Sequence, residues 1–320
     1  MSVTAAPTAT ATATAAATAT APAPRSALAA TGLVALAACC FGSISTFTLL
    51  GLGAGASLPA LITWRYLLAV PLLFLMAGAP AFRIGPDLTW RLVVLGGLPQ
   101  AIVTGLTLFA LRWVPAATEA FLFYTYPAWV AIIAAVRGTE PLTREKVVAL
   151  VLSLLGIGIM VGAPGAAALD PIGVACVLAA AIVYALYIPL IDGLRHQTGS
   201  SITAAWLSVG ATIVFASWAA LDGTLLAPLA PRAWLAAVAL AIIGTVVAFS
   251  LLLRGLATLG PVRTAIVATV EPFSTVVLAA ALLSQPVTLQ TVVGGLLIGA
   301  AVLLLQRQTT MDGEDVGTAT

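Results

Sequence analysis

The chain has 320 residues, of which 61% are hydrophobic and 8% charged, and its formal net charge is +2. Soluble domains carry roughly one quarter charged residues, so this chain has too few charged groups to coat a water-facing surface. The composition therefore predicts a polytopic membrane protein, excludes a soluble globular domain and gives no indication of a nucleic-acid partner.

The chain begins with a low-complexity stretch of alanine, threonine and proline that runs to about Ser26. This stretch lacks periodic large apolar side chains, so it cannot bury enough surface to offset the entropy of folding. It also lacks the basic start and apolar core of a secretory signal. We therefore predict a disordered N-terminal tail over residues 1–27, and a second disordered tail over the polar residues 307–320.

Ten apolar segments follow, each of about 20 residues, which is the length a helix needs to cross the hydrocarbon layer. Short stretches rich in glycine, proline and charged residues separate them, as expected for loops. The predicted spans are 28–50, 58–78, 88–111, 115–136, 145–163, 171–191, 201–221, 232–254, 260–283 and 287–306.

The basic residues predict the orientation of these spans. With both termini in the cytoplasm, ten of the 13 basic residues lie at the inner face, as the positive-inside rule requires. Those ten are Arg25, Arg83, Arg91, Arg137, Arg144, Lys146, Arg195, Arg254, Arg263 and Arg307. The opposite orientation would place the same ten outside, and we reject it.

Residues 113–161 and 258–306 are similar to each other, which indicates an internal duplication. Both matched landmarks require the same shift of 145 residues. They are Tyr126-Pro127 with Glu271-Pro272, and Glu140-Pro141 with Gln285-Pro286.

The duplication predicts an all-α fold of ten transmembrane helices, built from a first five-helix repeat over residues 28–163 and a second over 171–306. Five crossings is an odd number, so the second repeat must enter the membrane inverted relative to the first. Inverted repeats of this kind are used by secondary transporters, whose substrate sites lie near the bilayer midplane between the two halves.

Several stretches resemble the EamA-like, ten-helix branch of the drug/metabolite transporter superfamily. The resemblance covers Leu28 to Gln306, with Phe41 where tryptophan often precedes the glycine, and Gln285 where an acidic residue is usual in the second copy. It implies a plasma-membrane carrier, often an exporter, of small organic metabolites; the family spans amino acids, sugars, bases and drugs. The matching stretches are FGSISTF (41–47), TWRYLLAVPLLFL (63–75), LRWVPAATEAFLFYTYPAWVAIIAAV (111–136), RGLATLGPVRTAIVATVEPFSTVV (254–277) and VVGGLLIGAAVLLL (292–305).

Arg65, Glu119 and Glu271 lie inside predicted spans. Inserting a charged side chain at the bilayer centre costs roughly 2.5 kcal/mol or more, so each of the three is a candidate functional residue. A guanidinium at Arg65 could hold a substrate carboxylate through paired hydrogen bonds. The alternatives are an internal ion pair with Glu119 and a side chain that reaches outward to water.

Glu271 precedes Pro272 near the middle of the ninth span. Because proline removes a backbone donor, it frees a carbonyl one turn earlier and exposes polar backbone that a cavity can use. A buried carboxyl group can alternate between neutral and charged forms, so Glu271 is our candidate for proton coupling or for binding a substrate amine. The alternative is a protonated carboxyl bonded to a neighbouring helix.

Glu119 shares a helix face with Tyr126, and Pro127 kinks that helix as Pro272 does the other. A hydrated position for Glu119 near the outer boundary is the alternative to a place in the cavity.

Neutral polar side chains form further candidate lining. Gln100 and Thr104 recur at helical spacing with Thr107, and Tyr184 and Tyr187 lie three residues apart on the sixth span. Each could instead make an interhelical hydrogen bond. Five glycines predict close helix packing, namely Gly156, Gly158, Gly294, Gly295 and Gly299.

Enzyme functions receive little support from the sequence. His196 is the only histidine and lies in a predicted loop, and the three cysteines have no metal-ligand spacing, so no metal or cofactor is expected. No phosphate-binding glycine loop is present, so direct drive by ATP is unsupported.

The sequence thus favours a secondary carrier for a small metabolite across the plasma membrane, with that metabolite and the lipid bilayer as its partners, proton coupling through Glu271 as an option, and export as the direction that the resemblance implies. A membrane-embedded sensory or interaction subunit and a channel remain alternatives. Substrate, direction of transport, coupling ion and oligomeric state stay open.

Overall fold

The computed structural model describes residues 24–138, 143–162 and 169–317, and every regular element within them is helical. Residues 1–23 of the predicted N-terminal tail and the repeat landmark at 140–141 lie outside the described residues. The first half contains α1 (Pro24–Gly53), α2 (Leu58–Ala77), a 3-10 turn (Ala79–Phe82), α3 (Pro86–Arg91), a π-helical turn (Leu92–Gly96), α4 (Gly97–Ala110), α5 (Ala116–Phe123), α6 (Tyr126–Val136) and α7 (Arg144–Gly162).

The second half contains α8 (Pro171–Thr198), α9 (Ser200–Leu221), α10 (Pro231–Ala241), a π-helical turn (Ile242–Val247), α11 (Ala248–Ala268), α12 (Val270–Leu283) and α13 (Leu289–Gly317). Grouped by predicted span, α1 and α2 are segments 1 and 2, α3 to α4 segment 3, α5 with α6 segment 4, α7 segment 5, α8 and α9 segments 6 and 7, α10 with the first part of α11 segment 8, the rest of α11 with α12 segment 9, and α13 segment 10. Among the described residues, eight stretches are long and apolar enough to cross a bilayer, and the apolar part of α13, Leu289–Leu304, is a shorter one. The predicted all-α, polytopic fold is confirmed.

Local sequence signals explain where several of these helices begin. Ser57 and Asp170 cap α2 and α8 by accepting hydrogen bonds from the backbone N–H groups of Ala60 (3.3 Å) and Ile172 (2.8 Å). Proline occupies the first turn of α2 and α8, where its missing N–H group costs nothing.

Several helix boundaries differ from the prediction. α1 begins at Pro24, inside the predicted N-terminal tail, and α8 extends to Thr198, so His196 lies in a helix and not in the predicted loop. α11 is one helix across the junction expected between residues 254 and 260, since Pro261 removes only one helical hydrogen bond. α13 continues over residues 307–317, where we expected a disordered tail; no proline in this stretch obliges the helix to stop.

The main contacts between helices stay the same when the two halves of the chain are exchanged. Segment 1 packs against segments 8 and 9, just as segment 6 packs against segments 3 and 4. Segment 2 packs against segment 7, and segment 5 against segment 10, so each of these pairs joins equivalent helices. A two-fold axis relates these four sets of contacts, because each of them maps onto its counterpart when the halves are exchanged.

The third segment of each half also carries a π-helical turn, at Leu92–Gly96 and at Ile242–Val247. Such turns widen the helix locally and often mark functional sites. Each half therefore carries a π-helical turn in its third segment, at positions that the 145-residue shift does not match.

Glycines bring segments 5 and 10 into close contact. A Cβ atom on Gly156 would lie 2.8 Å from the carbonyl oxygen of Gly294, and one on Gly294 would lie 2.7 Å from the carbonyl oxygen of Gly156. Gly158, two residues along, has no heavy atom within 4 Å of such a Cβ, so the packing role predicted for it is wrong.

We therefore expect Gly156→Val to lower the thermal unfolding temperature of the purified protein, because the added side chain overpacks the crossing by about 1–3 kcal/mol. Gly158→Val is the matched control, since it makes the same chemical change in the same helix without a clash. Equal unfolding temperatures for the two variants would contradict the close contact.

Candidate functional site

A cavity of about 480 Å³ lies between the two halves. Segments 1 to 4 and 6 to 9 supply its lining, whereas segments 5 and 10 contribute none of the described lining residues. Its wall is mixed, with apolar side chains such as Phe41 and Leu252 beside one guanidinium group, two carboxyl groups and several tyrosine hydroxyls. The cavity therefore lies between the two repeats and has a polar lining, as expected of a substrate site in a protein built from two such repeats.

The candidate residues converge on this cavity, with one exception. Tyr187 is 4% exposed but does not line the cavity, and its hydroxyl has no hydrogen-bond partner in the described part of the chain. The lining candidates are Arg65, Gln100, Thr104, Glu119, Tyr126, Tyr184 and Glu271.

Arg65 is 6% exposed and is held from the opposite half. Its Nε atom donates to the hydroxyl of Thr245 at 3.0 Å, and Thr245 in turn donates to the carbonyl of Leu240 at 3.0 Å across the π-helical turn of segment 8. The guanidinium carbon lies 5.1 Å from the ring centre of Tyr66. The π-helical turn thus positions the arginine.

No carboxylate among the described residues forms an ion pair with Arg65, so the pair with Glu119 considered from the sequence is not present. The burial of Arg65 also rules out the outward-reaching alternative. Its two terminal nitrogens make no hydrogen bond within the described ranges, and they remain available to a ligand in the cavity.

Glu119 is 5% exposed and accepts a hydrogen bond of 2.8 Å from the hydroxyl of Ser45 on segment 1. It therefore lies on the cavity wall inside the protein, and the hydrated position at the outer boundary is not what the structure shows.

Glu271 is bonded to the first half through Tyr124, a residue that the sequence analysis did not single out. The Tyr124 hydroxyl lies 2.8 Å from Oε2 of Glu271 and 2.9 Å from the carbonyl oxygen of Ala268. The signal for Tyr124 was weak: it stands two residues before Tyr126 in the proline-containing stretch.

Both prolines lie just after a helix break. α5 ends at Phe123 and α6 begins at Tyr126, while α11 ends at Ala268 and α12 begins at Val270. The predicted kinks at Pro127 and Pro272 thus fall at equivalent places, and both breaks face the cavity through Tyr124, Tyr126 and Glu271.

Aromatic rings form one side of the cavity next to Glu271. The ring of Tyr184 lies 4.9 Å from that of Tyr126 and 5.3 Å from that of Phe123, measured between centroids. Such a surface suits an apolar or cationic part of a ligand.

The predicted polar stripe on segment 3 is partly engaged in internal hydrogen bonds. Thr104 lies 3.2 Å from both the Tyr66 hydroxyl and the Gln100 amide nitrogen. Thr107 donates to the backbone carbonyl of Val103 at 3.0 Å, within its own helix. Thr104 and Gln100 therefore contribute hydrogen-bonded polar groups to the cavity wall, whereas the Thr107 hydroxyl is bonded within its own helix.

Known proteins resemble this chain over most of its length. The model of the EamA-like transporter family matches residues 28–162 and 171–307. A protein of Bacillus subtilis (strain 168) named "Uncharacterized transporter YcbK" is 27% identical over 284 residues, which cover 84% of this chain and 90% of that protein. A solved structure described as "Crystal structure of protein" is 19% identical and covers 88% of this chain and 99% of that one with a TM-score of 0.62, a likeness of fold alone.

Proposed function

The chain belongs to the EamA-like transporter family, and from this premise we propose that it is a secondary active carrier that exports a small organic metabolite across the plasma membrane. Membership makes it a multi-pass membrane transporter and not an enzyme. One observation supports the finer assignment: the cavity between the halves takes its polar groups from both, so a movement of one half against the other would change the site.

Alternating access follows from the helix breaks. Segments 4 and 9 are each interrupted next to a proline, and both breaks border the cavity. Bending at Pro127 would open the site towards one side of the membrane, and bending at Pro272 towards the other. The basic residues place both termini in the cytoplasm in this proposal.

The substrate is proposed to bind through opposite charges. The free terminal nitrogens of Arg65 offer a fork that fits a carboxylate or another planar anion. Glu271, beside the rings of Tyr126 and Tyr184, would hold a proton or a substrate amine. The motive force would come from the substrate gradient, from protons through Glu271, or from both.

Transport into proteoliposomes tests the proposal, with metabolites chosen by comparing the contents of cells that lack or overproduce the protein. We expect saturable uptake, counterflow of labelled substrate, and a faster rate when a pH gradient is imposed. Non-saturating flux without counterflow would indicate a channel. Thermal stabilisation by a ligand without any flux would indicate a sensory subunit.

A further inference from the structure

The break in segment 9 leaves one backbone carbonyl without its usual partner. Pro272 has no N–H group, so the carbonyl of Ala268, four residues earlier, cannot receive the helical hydrogen bond. An unpaired carbonyl inside a membrane protein is costly unless another group donates to it. A donor from outside this helix is therefore required.

Tyr124 supplies that donor from the other half. It stands in the break between α5 and α6, and its hydroxyl lies within hydrogen-bond distance of both the Ala268 carbonyl (2.9 Å) and the Glu271 carboxyl group (2.8 Å). Tyr124 is 7% exposed, so water does not replace these bonds freely. One hydroxyl thus joins the two helix breaks.

The number of hydrogens makes this arrangement depend on a proton. A phenol carries one hydrogen, and a carbonyl can only accept. When Glu271 is ionised, its carboxylate and the Ala268 carbonyl compete for the single hydrogen of Tyr124, and one of them is left without a donor. When Glu271 is protonated, it donates to the Tyr124 oxygen while Tyr124 donates to Ala268, and every group is paired.

We propose that Tyr124 is a positioning residue that couples the bend of segment 9 to the protonation of Glu271. Proton binding completes the chain of bonds from Glu271 through Tyr124 to Ala268 and holds the second half against the first. Loss of the proton releases the carbonyl and lets segment 9 bend at Pro272. This inference rests on the proposed proton coupling and adds the residue that converts proton binding into movement.

The other ionisable groups around Glu271 do not provide an equivalent link. Tyr124 forms the only hydrogen bond to the Glu271 carboxyl group in the described part of the chain. Segments 1 and 8 face the cavity with apolar and hydroxyl side chains. The remaining ionisable groups on the cavity wall are Glu119 from α5, Tyr126 from α6, Tyr184 from α8, and Arg65 and Tyr66 from α2.

A distance measurement across the bend of segment 9 tests the coupling, because Leu221 lies on segment 7 and Leu282 lies on the part of segment 9 that follows Pro272. Leu221 and Leu282 are 90% and 52% exposed, near the ends of α9 and α12, and the neighbouring Trp218 and Leu283 pack into one cluster, so both sites lie at the same end of the bundle. In a protein whose three cysteines are replaced by alanine, Leu221→Cys and Leu282→Cys carry spin labels. Electron spin resonance in proteoliposomes then gives the label-to-label distance on the acid and alkaline sides of neutrality.

We expect the distance in the parent protein to change between the two conditions. Glu271→Gln should keep the acid-side distance in both, because its amide donates to Tyr124 as the protonated carboxyl does. Tyr124→Phe should keep the alkaline-side distance in both, because no hydroxyl bonds Ala268. Tyr187→Phe is the matched control: it removes a buried hydroxyl that has no described partner and should respond to pH as the parent does.

A pH response that persists in Tyr124→Phe, or a parent protein without one, would overturn the coupling. If Tyr124→Phe does not fold, the test rests on Glu271→Gln. A label-to-label distance that still changes with pH in Glu271→Gln would also overturn the coupling. The labels measure distance and not flux. Transport without a shift would therefore contradict the coupling alone, whereas a shift without transport would contradict the carrier function.

Discussion

Glu271→Gln is expected to abolish the acceleration of transport by a pH gradient while exchange of substrate down its own gradient persists. A glutamine cannot release or bind the proton, yet it keeps the size of the side chain and the hydrogen bond with Tyr124. For one proton per substrate, a gradient of one pH unit is worth about 1.4 kcal/mol, which is about tenfold in accumulation. The variant should lose this factor entirely.

The measurement compares accumulation in proteoliposomes with and without an imposed gradient. Glu119→Gln is the comparison, because Glu119 is the second carboxyl on the cavity wall but is bonded to Ser45 within its own half. We expect the gradient response to persist in Glu119→Gln. A wild-type response in Glu271→Gln, or its loss in Glu119→Gln alone, would assign the proton to another group.

The sequence predicts those features that one helix determines by itself. An arginine or a glutamate in an apolar span, and a proline in the middle of one, carry information because the bilayer makes each of them costly. Arg65, Glu119 and Glu271 were therefore found without a structure, and the structure places all three on one cavity wall. The breaks next to Pro127 and Pro272 lie where a missing N–H group removes a helical hydrogen bond, although Pro261 shows that a proline alone does not interrupt a helix.

Features that depend on how helices rotate against one another could not be predicted. From the sequence, Arg65 could either bind a ligand or form an ion pair with Glu119, because the relative rotation of segments 2 and 4 was unknown. The structure instead gives it Thr245 from the other half. Tyr184 and Tyr187 are three residues apart on one face of α8, yet only Tyr184 reaches the cavity, because Tyr187 lies almost one turn further along the helix.

The role of Tyr124 could not be predicted from the sequence either. Nothing in its own stretch distinguishes it from Tyr126, because its partners Ala268 and Glu271 are more than one hundred residues away. Its part in the site arises only when the two halves meet.

Arg65→Gln is expected to weaken the apparent affinity for a carboxylate-bearing substrate by about 10- to 100-fold. A hydrogen bond to a charged group contributes about 1.5–3 kcal/mol, and each 1.4 kcal/mol is about tenfold in binding. Arg65→Lys should recover only part of the loss, since an ammonium group restores the charge without the planar fork. The affinity is read from the substrate dependence of the initial transport rate.

Arg112→Gln is the matched control for this loss. Arg112 also stacks on an aromatic ring, with its guanidinium carbon 4.6 Å from the ring centre of Phe109, but it is exposed and lies outside the cavity. Thr245→Val separates positioning from binding, because it removes the bond to Nε and leaves the charge of Arg65 in place. If Arg65→Gln lowers the unfolding temperature but leaves the affinity unchanged, the arginine holds the two halves together and does not bind the substrate. A loss of affinity at an unchanged unfolding temperature requires the opposite conclusion, because the terminal nitrogens of Arg65 then act on the ligand and on nothing else in the fold.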